Sequence, residues 1–214
     1  GPFNGFLGLT ELMAEDIDDM SNEEIKFAAS NLRSSAKNLF NLLENLLEWT
    51  RMEQNLVPFE PKEYPLEPTV SESIITFNSI AEKKEISINT QIPSDLILFS
   101  DKNMFQAVIR NIVLNAIKFT PKKGTINIHA FEDPTNVTIT IKDSGIGMHP
   151  DLINDLFKTD TKNNRVGTEN EPSTGLGLVL CKEFVEKHNG QICAESEEGK
   201  GSTFHISFPK KLDA

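Results

Sequence analysis

No proline interrupts the chain between Pro2 and Pro58, and ten of the eleven prolines stand from Pro58 onward. Proline fixes φ and removes a backbone donor, so it breaks helix interiors. Long unbroken helices are therefore open to residues 1–57, and the prolines from Pro58 to Pro68 close that segment. The first stretch also has a helical rhythm. Ile25, Leu32, Leu39 and Leu46 recur every seven residues, with Ala28, Ser35, Leu42 and Trp49 in a second row, a coiled-coil seam of nearly four heptads. Ala29, Ala36 and Leu43 widen the seam, as a helix inside a bundle requires. Ser21-Asn22-Glu23-Glu24 reads as a capping box, in which the serine caps the helix and the glutamate reaches back. The pattern predicts a short helix over 3–19 and a second running to about Asn55, ended by Pro58, Pro61, Pro65 and Pro68.

Residues 58–214 mix both periods. Helices are predicted over 69–83, 101–119 and 174–188, the second stopped by Pro121 and Gly124 and the third by Asn189-Gly190. Strands are predicted over 85–89, 96–99, 125–131, 136–142, 191–196 and 202–208, with 125–142 forming a hairpin around Asp133-Pro134-Thr135. The expected fold is α+β: a helical hairpin over 1–57, then a two-layer α/β sandwich over 58–214 whose mixed, mostly antiparallel sheet has helices on one face. Between Gly147 and Gly175 lies a polar stretch without regular pattern, which reads as a lid or a disordered segment.

Charge and cysteine content narrow the function. With 21 Lys+Arg against 32 Asp+Glu the net charge is −11, the opposite of the basic face that nucleic acid demands. No apolar run is long enough to cross a bilayer, and no signal peptide is visible. Cys181 and Cys193 fit neither a disulfide framework nor a usual zinc spacing, so reduced thiols in a cytoplasmic setting are expected.

Three segments carry possible chemistry. In Asn111-Ile112-Val113-Leu114-Asn115-Ala116-Ile117-Lys118-Phe119-Thr120, helical spacing puts Asn111, Asn115 and Lys118 on one face and the apolar residues on the other. Amide oxygens are neutral hard ligands suited to Mg²⁺ already held by phosphate oxygens, and Lys118 could neutralise phosphate charge. Asp143-Ser144-Gly145-Ile146-Gly147 ends a strand; a carboxylate there can accept the exocyclic amino proton of adenine and repel the carbonyl of guanine. Ser173-Thr174-Gly175-Leu176-Gly177-Leu178 opens a helix, where backbone N–H groups and the helix dipole attract anions. Each alone has a plainer explanation: a solvated helix edge, an Asx turn, close helix–sheet packing.

In their order and spacing the three strongly resemble the GHKL ATPase/kinase superfamily, and within it the catalytic domain of sensor histidine kinases. Asn111–Thr120 is similar to that family's N box, Asp143–Gly147 to its G1 box, Thr174–Leu178 to its G2 box, and Gly199-Lys200-Gly201-Ser202-Thr203-Phe204 to its terminal glycine turn. The resemblance implies a Bergerat-type sandwich that binds ATP and Mg²⁺. It implies that Asp143 reads adenine, that Asn115 assisted by Asn111 binds the metal, and that Lys118 contacts phosphate. Gly145, Gly147, Thr174, Gly175, Leu176 and Gly177 would line the site, with Phe119 packed near the nucleotide. Hydrolytic relatives carry a glutamate base where Asn111 stands; an amide cannot take a proton from water, which favours transfer to a protein acceptor. Residues 3–57 resemble the dimerisation and histidine-phosphotransfer hairpin.

The departures from the family are also informative. The lid motif keeps only Phe157 of two phenylalanines, and Arg165 is a candidate phosphate contact or a solvated loop residue. Gly1-Pro2-Phe3-Asn4 resembles the tail of the acceptor motif, which puts the acceptor histidine just upstream of residue 1, although Gly-Pro is also a scar of tag cleavage. His129, His149, His188 and His205 read as structural or solvated, so ATP and Mg²⁺ are expected to bind without self-phosphorylation. The resemblance implies a response-regulator receiver domain as partner and a homodimer in the intact parent, with this chain a weak dimer or monomer. Membrane attachment, to the inner membrane, would come only through N-terminal regions that the chain does not contain. Another GHKL ATPase or protein kinase, or a non-catalytic pseudokinase module, are the competing readings.

Overall fold

The structure, a computed structural model, describes residues 2–17, 19–53, 58–158, 167–169, 171 and 175–211. It divides into two compact units, Gly1–Val57 and Pro58–Ala214. The first contains α1 (Pro2–Asp16) and α2 (Asn22–Glu53). The capping box forms as read: the Ser21 N–H donates to Glu24 Oε2 at 2.8 Å and the Glu24 N–H to Ser21 Oγ at 3.3 Å. Along α2, Ala28 is buried and Ile25, Leu32, Ser35 and Leu39 are half-buried, so the seam faces one way; the side chains of Leu42, Leu46 and Trp49 lie outside the described residues. The widening row does not join it. Ala29, Ala36 and Leu43 are exposed, because within this unit, among the described residues, α1 covers one stripe of α2.

The second unit runs β1 (Lys62–Pro65), α3 (Leu66–Ile74), a 3₁₀ turn (Ile75–Phe77), α4 (Asn78–Lys83), β2 (Ser87–Gln91), β3 (Ile97–Ser100), α5 (Lys102–Phe119), β4 (Thr125–Glu132), β5 (Asn136–Asp143), α6 (Pro150–Asn154), α7 (Gly177–Lys187), β6 (Gln191–Glu197) and β7 (Gly201–Pro209). Five strands form one sheet in the order β2-β4-β5-β7-β6, antiparallel except for the parallel pair β2-β4, and β1 pairs with β3 separately. The α+β architecture is the expected one. Two elements were not anticipated: β1, in the segment read as proline breakers, and α6, inside the polar stretch after Gly147. The helix expected over 69–83 starts at Leu66 and is interrupted at Ile75–Phe77. The helix expected from 174 starts at Gly177. Glu85 has φ 54°, so β2 begins two residues later than alternation suggested.

Period-two alternation gives the sheet its apolar face. Ile126, Ile128 and Ala130 of β4, Val137, Ile139 and Ile141 of β5, and Phe204, Ile206 and Phe208 of β7 are all buried. Register stacks them across the strands, with Ile139 opposite Ile206 and Ile141 opposite both Ile128 and Phe204. The buried stripe of α5 (Phe105, Val108, Ile109, Ile112, Val113, Ala116) and that of α7 (Val179, Leu180, Phe184, Val185) complete this core. Each large side chain so buried contributes about 1.5–3 kcal/mol. The site residues thus grow from elements that cannot shift independently.

One histidine belongs to this framework. His188, buried at the end of α7, accepts the Asp101 N–H on Nε2 at 2.8 Å and donates from Nδ1 to the Phe184 carbonyl at 2.6 Å. Its ring meets Phe59 and Phe208 edge-on, at centroid distances of 4.8 and 5.3 Å. Asp101 in turn caps α5, its Oδ1 accepting from the N–H groups of Asn103 and Met104. Burial lowers the His188 pKa from 6.5, so below that pH the unfolded chain takes up a proton that the folded chain refuses. Stability therefore falls on acidification below pH 6.5, by at most about 1.4 kcal/mol per pH unit. Urea midpoints at neutral pH and at about pH 5.5 check this: His188→Gln should unfold earlier at neutral pH yet show a smaller loss between the two conditions.

Candidate functional site

Asp143 is the last residue of β5 and only 4% exposed. Its Oδ1 accepts the Gly145 N–H at 2.8 Å and the Ser202 N–H at 3.2 Å; among the described residues nothing donates to Oδ2. Burial raises the carboxyl pKa from 3.8, and the two N–H groups act against that rise. The turn after Asp143 is gripped from both sides. Ile146 N–H donates to the Phe119 carbonyl at 3.0 Å, and Gly199 N–H donates to the Ile146 carbonyl at 2.9 Å. A Cβ on Gly145 would stand 2.5 Å from the Phe119 carbonyl oxygen. At Gly147 (φ +64°) it would run into the Glu197 carbonyl oxygen, and at Gly201 (φ +93°) into the Asp143 carbonyl oxygen. The end of α5, the turn after β5 and the β6–β7 turn therefore meet backbone to backbone. That contact fixes the direction of the Asp143 side chain.

The amide face lies on α5. Asn111 and Asn115 are half-buried, Lys118 is buried, and Phe119 ends the helix. Eight residues of helix separate Asn111 from Phe119 by about 12 Å, which spans the length of a nucleotide. Asn111 Nδ2 donates to the Ala107 carbonyl at 3.1 Å, and its Oδ1 lies 2.7 Å from where a Gly177 Cβ would be. The start of α7 thus packs directly on Asn111, with Gly175 and Leu176 leading into it. No described residue hydrogen-bonds the Asn115 amide. The Lys118 Nζ lies 5.3 Å from the centroid of the Phe119 ring. Its pKa is held down to about 8 by desolvation, with the Glu171 carboxylate pulling the other way.

The structure brings Asp143, Gly145, Gly147 and Phe119 into one cluster, and Asn111 and Gly177 into a second on the same helix. Thr174 and Arg165 lie outside the described residues; Phe157 sits in the turn after α6, half-buried. Lys84, Thr168 and Glu171 belong to no motif in the sequence, and Ser202 stands there only as a member of the terminal glycine turn. Ser202 acts through its backbone N–H, which no residue type advertises. Lys84 reads as one more member of a solvated charge run, Glu82-Lys83-Lys84-Glu85, yet it is buried. The residues fit a purine nucleotide with its metal: a buried carboxylate with one oxygen that no described residue bonds, a backbone cradle that a Cβ would fill, and two neutral amides beside a buried lysine.

Residues 100–212 match the family of histidine kinase-, DNA gyrase B- and HSP90-like ATPases, and the chain belongs to that family. Within it, the relatives are sensor histidine kinases, and this is a catalytic domain of that kind. The autoinducer 2 sensor kinase/phosphatase LuxQ of Vibrio parahaemolyticus is 28% identical over 98% of this chain and 25% of its own length. The adaptive-response sensory kinase SasA of Synechococcus elongatus is 32% identical over 83% of this chain and 46% of its own. The chain spans a quarter of the LuxQ length. The solved catalytic domain of histidine kinase ThkA superposes with TM-score 0.63 at 26% identity, covering 72% of this chain and 99% of that one. The structure of ThkA in complex with response regulator protein TrrA shares the fold over 99% of this chain and 58% of that one, with TM-score 0.79 at 22% identity.

Two glycines test the backbone crossing. Gly199 is also left-handed (φ +78°) but has open space around its Cβ direction, whereas Gly147 has the Glu197 carbonyl there. Gly199→Ala should cost about 1 kcal/mol, the conformational strain alone. Gly147→Ala should cost at least about 2 kcal/mol more, because backbone must move. Chemical denaturation of the two variants reads the difference.

Proposed function

We propose that the second unit binds Mg-ATP and transfers its γ-phosphoryl group to a histidine carried by the helical hairpin of the intact protein, for relay to an aspartate of a response-regulator receiver domain. The observation that carries this reading is Asp143: a buried carboxylate with one oxygen occupied by backbone N–H groups and the other given no donor by the described residues. Such an oxygen accepts the adenine amino group and selects against guanine. Asn115, with Asn111 beside it, would hold Mg²⁺, and Lys118 would meet the phosphates. Mg²⁺ neutralises and orients phosphate oxygens when bound. Asn111 and Asn115 are amides without basicity, so water is not activated at this position, and the chemistry rests on positioning and charge neutralisation. Gly175 and Gly177 let the start of α7 approach the phosphates closely.

The hairpin of residues 1–57 supplies the dimerisation and phosphotransfer element of the parent in this reading. Its half-covered seam on α2 supports that assignment, as does the fold shared with ThkA, which was solved in complex with response regulator protein TrrA. Among the described residues no helix is long and apolar enough to cross a membrane.

Asp143→Asn keeps an acceptor for Gly145 and Ser202 but turns a donor toward the adenine amino group. Calorimetric titration should show Mg-ATP affinity reduced about 10- to 100-fold. Because burial opposes ionisation at Asp143, the same variant should unfold no earlier than the parent at neutral pH. Unchanged affinity would remove the adenine assignment. Mg-ATP affinity should also fall as pH rises through about 8, where the Lys118 ammonium is lost, and this dependence should vanish in Lys118→Met.

A further inference from the structure

Lys84 follows α4 and its side chain is 2% exposed. Its ammonium donates to the carbonyls of Ile117 (2.9 Å) and Lys118 (3.2 Å), to Thr168 Oγ1 (2.7 Å) and to Glu171 Oε1 (3.1 Å). Two chain segments far from Lys84 in sequence therefore converge on its nitrogen. Two of the acceptors are carbonyls of the last turn of α5, which no further helical turn can satisfy. The other two are Thr168 and Glu171, in the segment that holds residues 167–169 and 171. There the Gly167 N–H donates to the Glu171 carbonyl at 2.7 Å and the Glu169 N–H to Glu171 Oε2 at 2.8 Å. The same segment is tied to α5 by Thr168, whose N–H donates to the Lys118 carbonyl at 3.0 Å. It also touches the Lys118 side chain, since a Cβ on Gly167 would stand 2.5 Å from Lys118 Cγ.

We propose that Lys84 is a positioning residue for the phosphate end of the nucleotide site: by fastening Thr168 and Glu171 to the last turn of α5, it sets where the Lys118 ammonium stands. This rests on Lys118 being a phosphate contact, as proposed for this site. A buried ammonium is costly without partners, and the Glu171 carboxylate closes the charge. Glu171 thereby faces two lysines, Lys84 through a direct ion pair and Lys118 through its field. Base recognition at Asp143 uses other hydrogen bonds, from the N–H groups of Gly145 and Ser202, and Lys84 takes part in neither. The two ends of the ligand should respond differently to a change at Lys84.

The test is calorimetric titration of the whole chain with Mg-ATP and, separately, with adenosine. Lys84→Met and Thr168→Val should weaken Mg-ATP by roughly 10-fold or more while changing adenosine affinity by less than about twofold. Lys84→Arg, which keeps charge and donors, should recover most of the loss. Melting curves confirm that each variant folds; should Lys84→Met not fold, Thr168→Val decides. Equal weakening of both ligands, or a lowered melting temperature with both affinities intact, would reduce Lys84 to a structural role and overturn the proposal. A parent chain that binds adenosine and is insensitive to Asp143→Asn would instead overturn the nucleotide reading on which it rests.

Discussion

The last four carbonyls of a helix have no partner within it, and in this protein their pairing organises the site. At the end of α5, the Ala116 carbonyl takes the Thr120 N–H, Ile117 takes the Lys84 ammonium, Lys118 takes Lys84 and the Thr168 N–H, and Phe119 takes the Ile146 N–H. Each partner comes from a different place: the helix exit, the loop after α4, the turn at Thr168, and the turn after β5. Obligatory backbone chemistry at one helix end thus gathers the segments that carry Lys118, Asp143 and the glycines. Because the apolar face of α5 is packed on the sheet, this gathering point is rigid.

Asp143 shows how such rigidity is used. A carboxylate loses hydration on burial, and two N–H groups on one oxygen offset only part of that loss. The remaining oxygen is left for a donor that the described residues do not supply. Glycine is required around it for a steric reason, since backbone passes backbone with no room for a Cβ at Gly145, Gly147 or Gly201. His188 plays the opposite part at the far end of α7: buried, with both ring nitrogens hydrogen-bonded, it locks the helix to Asp101 and the aromatic residues.

Legibility followed how local each determinant is. The capping box of α2, the alternation of β4, β5 and β7, and the amphipathic face of α5 depend on neighbours within a few residues, so periodicity showed them. Strand β1 was hidden because Lys62-Glu63-Tyr64-Pro65 is short, ends in proline and gains its ladder only from β3, more than thirty residues on. Helix α6 was hidden because its five residues are set by the His149 cap and Pro150 rather than by a repeating stripe. The row Ala29, Ala36, Leu43 matched a bundle pattern, yet a pattern does not state how many neighbours are present to cover it.

By itself the sequence determined the α+β class, the division near residue 57, the amide-bearing face of α5 and the glycine clusters, all through spacing that local geometry converts directly into faces and turns. Only the tertiary structure decided that Asp143 would keep one oxygen without a donor from the described residues, that Gly177 would press on Asn111, and that Lys84 would leave its charge run for the interior. Those outcomes depend on which carbonyl or N–H from a distant segment arrives at a given atom. Such arrivals leave no mark on residue type, because every residue brings the same backbone.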